Sequence, residues 1–291
     1  MNSEASQRNA EAERRLQTLV QQVRDLPALP EAAVKVMRLA DDPRASAADV
    51  ARVLSADQAM TARILKLANS AFYGASRRVA TVTEAVVLLG LRTVRNMTMA
   101  LSCQDLLDKS LAGYGMDAGA LWRHSFCSAY AAQCLARRAH YRAAEEAFVG
   151  GLLHDIGKVV LNLYLQTEWR KVSQIAARAH LPFMDAERAV LGFDHAEAGA
   201  RVLEKWNLPM PLVDCVRFHH DPLSQPEPSV LTALVHIADV QCLLLGVGLG
   251  GDGLNYPLQD GVLAMLHLTE ADFEDTAAEV SDAVARSDTL F

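Results

Sequence analysis

Apolar side chains recur with helical spacing along nearly the whole chain. Near the start, Leu16, Leu19 and Val23 lie on one face of a helix, and the same spacing returns after each turn-forming residue. It predicts helices over residues 33–40, 46–54, 58–68, 85–89, 93–107, 122–139, 143–163, 168–180, 184–191, 196–206, 210–219 and 230–245. Strand-like alternation is absent, and only the β-branched run 79–87 is compatible with a strand. The pattern therefore predicts an all-α fold.

Capping residues and glycines divide this pattern into regions. Ser46 with Asp49 resembles a capping box, and Thr269 with Asp272 predicts the start of a last helix that ends near residue 285. The glycine-bearing connection over residues 109–119 interrupts the helical pattern and predicts a boundary between two helical regions. Residues 246–257 predict a glycine-rich loop. The expected organisation is a polar N-terminal helix (1–20), a first helical half (21–110), a second helical half (111–245), and a glycine-rich loop with a C-terminal helix (246–291).

Composition narrows the class of protein. Half of the 291 residues are apolar (51%), which is enough for a sizeable core, and the net charge of −7 argues against direct nucleic-acid binding. No run reaches the roughly 18 apolar residues of a membrane span, and residues 1–6 are polar rather than signal-like. We therefore expect a cytoplasmic protein that does not bind membranes. The cysteines are scattered and odd in number, which favours buried, unpaired thiols at Cys103, Cys127, Cys134, Cys215 and Cys242.

Candidate chemistry is concentrated in the second half. Seven side chains of metal-ligand type follow one another there: His124, His154, Asp155, His195, His219, His220 and Asp239. The adjacent pair His154 and Asp155 offers an imidazole and a carboxylate from one short segment, and a carboxylate can bridge two ions. Imidazole with carboxylate suits divalent cations such as iron, manganese, zinc or cobalt, with magnesium as a further candidate, so we expect one or two ions. The histidines outside this order are interpreted as structural hydrogen-bonding residues: His140, His180, His236 and His267.

Longer motifs add a family resemblance. The order of the seven residues resembles that of the HD superfamily of metal-dependent phosphohydrolases. Residues 54–74 resemble the first part of the HDOD domain, the HD-related output domain of bacterial signalling proteins. So do the segments 26–30 (Leu-Pro-Ala-Leu-Pro), 85–90, 122–125 and 206–209 (Trp-Asn-Leu-Pro), and Gln58 departs from the usual proline. The resemblance spans about residues 20–245. It implies an N-terminal helical bundle (21–110) packed on an HD-like helical domain (111–245).

The resemblance also assigns roles. It implies a first metal held by His124, His154, Asp155 and Asp239, and a second held by Asp155, His195, His219 and His220. Asp155 would then bridge the two ions. Lys158 matches a lysine that faces a substrate phosphate in the related HD-GYP phosphodiesterases, and Glu187 matches a carboxylate upstream of the third histidine in those enzymes.

Three functions remain open from the sequence. HDOD members mostly act as non-catalytic modules, so the leading expectation is a bacterial signalling or regulatory module that contacts other signalling or regulatory proteins. The exposed face of the helix carrying Arg63 and Lys66 is the predicted contact surface. The alternative is a divalent-metal-dependent phosphohydrolase acting on a nucleotide or cyclic dinucleotide, with Asp155 and Lys158 catalytic. The loop 221–228 lacks the Gly-Tyr-Pro motif of HD-GYP enzymes, and basic residues nearby are few. The third reading is a structural metal or an empty site.

Overall fold

Helices account for the architecture throughout the described chain. The computed structural model describes residues 11–19, 29–42, 44–70, 73, 77–164, 168–179, 181–251 and 257–285, and these ranges contain no β-strand. The helices of the first part are α1 (residues 11–19), α2 (Glu31–Asp41), α3 (Ala47–Ser55), α4 (Gln58–Ala68), α5 (Val82–Leu89) and α6 (Leu91–Leu107). The predicted all-α fold is confirmed.

The second part follows after a short 3₁₀ turn at Ala112–Tyr114. Its helices are α7 (Ala120–Arg138), α8 (Ala144–Leu153), α9 (Ile156–Tyr164), α10 (Trp169–Ala179), α11 (Phe183–Leu191), α12 (His195–Lys205), α13 (Met210–Phe218), α14 (Val230–Leu244), α15 (Val262–Met265) and α16 (Glu270–Ala285). A second 3₁₀ turn, Pro222–Ser224, lies between α13 and α14. Among the described residues, no helix combines the length and the apolar character that crossing a bilayer requires.

Local capping explains where several helices begin. The Ser46–Asp49 capping box is present, and Thr269 accepts a hydrogen bond from the backbone of Asp272 as predicted. Residues 82–87 of the β-branched run 79–87 lie in α5, and residues 79–81 precede the helix without forming a strand. The Thr81 hydroxyl accepts from the Glu84 backbone N–H at 3.1 Å, which satisfies a donor at the helix start. The cap therefore outweighs the β preference of the side chains.

The first half is a bundle of α2–α6 around an apolar core. In α4, Ile64 and Leu67 are buried and Lys66 is exposed, as predicted. Arg63 differs from the expectation of a free surface residue. Its guanidinium donates to Gln104 at 2.6 Å and to Asp105 at 3.3 Å, because α4 packs beside α6. Arg63 therefore ties two helices of the bundle together.

The two halves share one apolar core. Met37 and Met99 of the first half face Val149 and Leu212 of the second half across a small cavity of about 110 Å³. Polar contacts also cross the junction, since Asn96 of α6 and Gln133 of α7 both donate to Glu145 at the start of α8.

Helix α1 contacts the second half. Leu16 and Leu19 are buried, and Glu13 accepts a hydrogen bond from Arg201 of α12 at 2.8 Å. The predicted region boundaries at residues 20, 110 and 245 remain predictions. Parts of the predicted pattern lie outside the described residues: all of residues 1–10, residues 20–28 with most of the Leu-Pro-Ala-Leu-Pro motif, residues 71–72 and 74, His180, and residues 252–256 of the glycine-rich loop.

Candidate metal centre

A break between α8 and α9 places the central pair of polar residues. The apolar pattern predicts one helix over 143–163, but the structure ends α8 at Leu153 and starts α9 at Ile156, with His154 and Asp155 at the turn. Two glycines allow close helix packing there. A Cβ on Gly151 would lie 2.7 Å from the backbone of α7, and one on Gly157 would lie 1.9 Å from the carbonyl oxygen of His195. The turn is thereby pressed between α7 and α12.

The structure brings all seven predicted residues together as two adjoining clusters. The first cluster joins His124 of α7, His154 and Asp239 of α14. The second joins Asp155, His195 at the start of α12, and His219 and His220 at the end of α13. Within each cluster the ligand-type atoms lie within 4.8 Å of one another. The side chains are almost completely buried, and His220 is the most accessible of the histidines, with 6% of its side chain exposed.

Asp155 lies between the clusters and presents a different oxygen to each. Its Oδ2 is 3.7 Å from His124 Nε2 and 3.5 Å from His154 Nε2. Its Oδ1 is 3.4 Å from His195 Nε2 and 3.8 Å from His219 Nε2. This is the arrangement that a carboxylate needs to bridge two cations.

Hydrogen bonds fix the orientation of four histidine rings. Each ring directs Nδ1 at an acceptor outside the centre: His154 at Gly151 O (2.7 Å), His219 at Val216 O (2.7 Å), His195 at Glu187 Oε2 (2.8 Å) and His124 at Val247 O (3.2 Å). Carbonyl and carboxylate oxygens only accept, so Nδ1 carries a proton and Nε2 faces inward, where a ring without a second proton offers its lone pair. Metal-binding histidines commonly have such partners, because the outer hydrogen bond selects the tautomer and raises ligand basicity.

The inward nitrogens lie close to one another and to the carboxylates, and His124 Nε2 is 3.0 Å from Asp239 Oδ1. His124 Nε2 and His154 Nε2 are 3.2 Å apart, and His195 Nε2 and His220 Nε2 are 2.8 Å apart. Asp155 Oδ1 and His219 Nε2 are buried without a hydrogen-bond partner. Leaving such atoms unsatisfied in the interior costs about 1–3 kcal/mol each. Divalent cations would satisfy both pairs of nitrogens and both orphaned atoms, so the residues fit a metal.

Charges within the centre are strongly coupled. Although burial opposes ionisation, Lys158 and His154 hold the pKa of Asp155 well below its usual value, and the Lys158 ammonium donates to Asp155 Oδ2 at 2.7 Å. Burial also disfavours an imidazolium at His154, but Asp155 and Asp239 raise the pKa of His154 to about 10. For His219, burial and the neighbouring His154 lower the pKa to about 3. Bound protons on Lys158 and His154 therefore supply positive charge where cations would.

A cavity of about 530 Å³ reaches the centre beside His220. Its charged lining consists of two arginines and three carboxylates: Arg188, Arg217, Asp194, Glu197 and Asp221. Both arginines are engaged, since Arg188 pairs with Asp194 at 2.7 Å and Arg217 with Glu197 at 3.4 Å. The lining therefore offers little free positive charge to a phosphate. Lys158, which the resemblance directs at a phosphate, is instead 5% exposed and bound to Asp155.

Two further residues complete the surroundings. His236 is structural as predicted, because its Nδ1 donates to His219 O at 2.8 Å and its Nε2 accepts from Gln259 N at 3.0 Å. Tyr114 was not predicted. Its hydroxyl donates to Glu187, the carboxylate that orients His195. A single tyrosine in a glycine-bearing connection has no spacing that marks it, so the sequence contained no signal for this role.

Comparison with known proteins agrees with this fold. The sequence profile of the HDOD domain matches residues 26–222, about two thirds of the chain. The chain belongs to the HDOD domain family. A solved HDOD domain protein of unknown function from Geobacter sulfurreducens is 28% identical, with a TM-score of 0.78, and the match covers 96% of this chain and 99% of that one.

Two other relatives extend the comparison. A Shewanella amazonensis SB2B structure, named as a candidate phosphohydrolase, is 26% identical with a TM-score of 0.65 and covers 90% of this HDOD chain and 97% of its own. An uncharacterized protein of Treponema pallidum (strain Nichols) is 28% identical over 211 residues, which are 72% of this chain and 40% of that protein. The HDOD chain thus spans about two fifths of that relative's length.

Proposed function

We propose that this chain is a metal-containing regulatory HDOD module of the bacterial cytoplasm that works by contact with signalling or regulatory proteins. In this proposal the seven clustered residues hold two divalent ions, with Asp155 between them. The observation that carries the proposal is the convergence of oriented Nε2 atoms on both oxygens of one buried carboxylate. Such an arrangement costs stability unless cations are bound.

The donor set favours particular ions. Five imidazoles and two carboxylates converge across the two clusters. Nitrogen-rich sites suit iron, manganese, zinc and cobalt, whereas magnesium prefers oxygen ligands and retained waters. We therefore expect a borderline transition ion in preference to magnesium.

The surroundings support regulation ahead of catalysis. The approach to the centre is lined by more carboxylates than arginines, and those arginines are paired with carboxylates. Phosphoryl chemistry is normally supported by free cationic groups aimed at the developing negative charge. If metal binding ordered residues at the protein surface, partner proteins could bind the metal-loaded and metal-free forms differently, which would suit a regulatory module.

The second candidate is a metal-dependent phosphohydrolase. It is favoured by the cavity of about 530 Å³ at His220, which could admit a small phosphoester. Bound divalent ions supply Lewis acidity and lower the pKa of water at such sites. In this candidate Asp155 orients the site, and Lys158 must leave Asp155 Oδ2 to neutralise a phosphate.

Metal analysis combined with a turnover assay tests the proposal. The full chain is purified without added metal, its bound ions are counted, and cyclic dinucleotides and bis(p-nitrophenyl) phosphate are offered with manganese or iron. We expect two ions per chain and no turnover above the Asp155→Asn variant. Robust hydrolysis that Asp155→Asn abolishes would establish the second candidate. A chain that binds no ion under any of these conditions contradicts both.

A further inference from the structure

The connection between the two halves is part of the metal centre's surroundings. Leu111 and Met116 form an antiparallel bridge, with Leu111 N donating to Met116 O at 2.9 Å, and both side chains are buried. This bridge encloses a tight turn that directs Tyr114 inward, where the residue is 1% exposed. The connection is thus a folded element rather than a spacer.

Close contacts with several elements hold this turn in place. Gly113 N donates to Asn162 Oδ1 of α9 at 3.0 Å, and a Cβ on Gly113 would lie 1.8 Å from Trp169 Nε1 of α10. Gly251 N, beyond α14, donates to Tyr114 O at 2.6 Å. The position of Tyr114 therefore depends on three separate elements of the second half.

A continuous chain of hydrogen bonds joins Tyr114 to the second cluster. The Tyr114 hydroxyl donates to Glu187 Oε1 at 2.5 Å. The other oxygen, Glu187 Oε2, accepts from both N and Nδ1 of His195 at 2.8 Å. Glu187 is completely buried, so these donors orient its carboxylate. The two carboxylate oxygens therefore differ in role, since Oε1 is held by the connection and Oε2 fixes the tautomer of His195.

We propose that Tyr114 is a positioning residue through which the connection at residues 111–119 sets the metal affinity of the second cluster. This inference rests on the proposed function, since it requires an ion at that cluster. Displacement of the connection removes the donor to Glu187, loosens the carboxylate and weakens His195 as a ligand. By reciprocity of linked equilibria, an ion at the second cluster stabilises the seated connection. The connection would then couple metal binding at the second cluster to the position of the first half relative to the second.

Zinc titration of the metal-depleted full chain tests this inference. Loss of a group bonded directly to a ligand typically weakens metal binding about 10–100-fold, and Tyr114 is one bond further out, so Tyr114→Phe should weaken one of two zinc-binding steps about three- to tenfold. The other step should change less, because Glu187 bonds to His195 of the second cluster and affects the first cluster only through the shared Asp155. Tyr141→Phe is the matched control, since it removes a phenol beside the carboxylate of Glu146 (3.5 Å) away from the centre.

Two further measurements separate positioning from a merely structural role. Nitrogen NMR of the histidine rings should show a smaller fraction of Nδ1–H at His195 in Tyr114→Phe, and no change in Tyr141→Phe. Adding Tyr114→Phe to Glu187→Gln should weaken zinc binding less than it does in wild type, because the carboxylate that Tyr114 orients is already lost. If Tyr114→Phe fails to fold, hydrogen exchange in wild type decides, with zinc expected to slow exchange at residues 111–119.

The outcomes distinguish the two proposals. A wild-type chain that binds no zinc removes the proposed function and this inference together. A wild-type chain with two zinc sites, and a Tyr114→Phe variant whose two affinities are unchanged or fall equally, removes only the role of Tyr114. Exchange at residues 111–119 that is unaffected by zinc has the same consequence.

Discussion

The two halves bury polar side chains in different ways. In the first half, the Ser70 hydroxyl donates to Leu67 O at 2.7 Å and the Thr98 hydroxyl to Val94 O at 2.8 Å, so each is satisfied within its own helical turn. In the second half the buried polar residues converge from different helices, and two of their atoms, Asp155 Oδ1 and His219 Nε2, have no partner. Asn96 of the first half is an exception, because it donates to Glu145 across the junction and its Oδ1 has no partner. Similar amphipathic helices therefore build a mainly apolar scaffold in one half and an interior suited to cations in the other.

The largest expected effect is in the scaffold. Leu67 is 3% exposed in α4, and Leu67→Asp would place an unpaired charge among apolar side chains. Uncompensated buried charges cost about 3–5 kcal/mol or more, a large part of the stability of a typical domain. We expect loss of the cooperative thermal transition followed by circular dichroism. Ala62→Asp, on the exposed side of the same helix, should unfold like wild type. Equal melting of the two variants would show that this face of α4 is not packed.

The second largest effect is in the metal centre. Asp155→Asn removes the negative partner of Lys158, which is almost completely buried, and should destabilise the metal-free chain by about 3–5 kcal/mol. It should also reduce the bound ions from two to at most one, because both clusters lose their shared oxygen ligand. Denaturant unfolding and elemental analysis measure the two effects. Asp185→Asn, whose side chain is 43% exposed, is the control. Two ions retained in Asp155→Asn would refute the bridging role.

A smaller effect is the expected pH dependence of metal binding and of folding. Asp155 and Asp239, acting against burial, raise the pKa of His154 to about 10, so at pH 8 this ring carries a second proton, at Nε2, in the metal-free chain. A cation at Nε2 must displace that proton, so ion binding should release protons and apparent affinity should fall as pH is lowered. For folding of the metal-free chain, the raised pKa stabilises fully below the unfolded value of about 6.5, and this contribution is lost as pH rises through about 10. Calorimetry in buffers of different ionisation enthalpy measures the release. Affinity that is independent of pH between 6 and 9 would contradict it.

The smallest effect separates two neighbouring cations of the scaffold. Lys66 is exposed, and Lys66→Glu should change stability by no more than about 0.5 kcal/mol. Arg63→Glu should lower the free energy of unfolding by more, up to about 1 kcal/mol. It removes the contacts to Gln104 and Asp105 and places a second carboxylate beside Asp105. Chemical denaturation measures both. A larger loss for Lys66→Glu would reverse the assigned roles. Partner capture remains a separate prediction for this face, best tested with Lys66→Glu because it leaves the fold intact.

Periodicity predicted the helices well and their arrangement poorly. Side-chain spacing placed most helix ends within a residue or two, because the residues that form the buried face of a helix are close together in the sequence. It missed the break at His154 and Asp155, since apolar residues continue through the turn with helical spacing. It also gave no sign that Tyr114 lies beside the centre. The convergence of His124 with Asp239 came from the family resemblance, because no local pattern encodes a contact between residues so far apart in the chain.

Counting the ions on the unmodified full chain tests the central claim most directly. The chain would be produced without added metal, freed of loosely bound ions by gel filtration, and measured by elemental analysis, with anomalous scattering from crystals to place each ion. We predict two transition ions per chain, both within ligand distance of Asp155 and one on each side of its carboxylate. A chain that remains metal-free even after incubation with zinc, manganese and iron, with His154 and His219 unchanged in position, would contradict this claim.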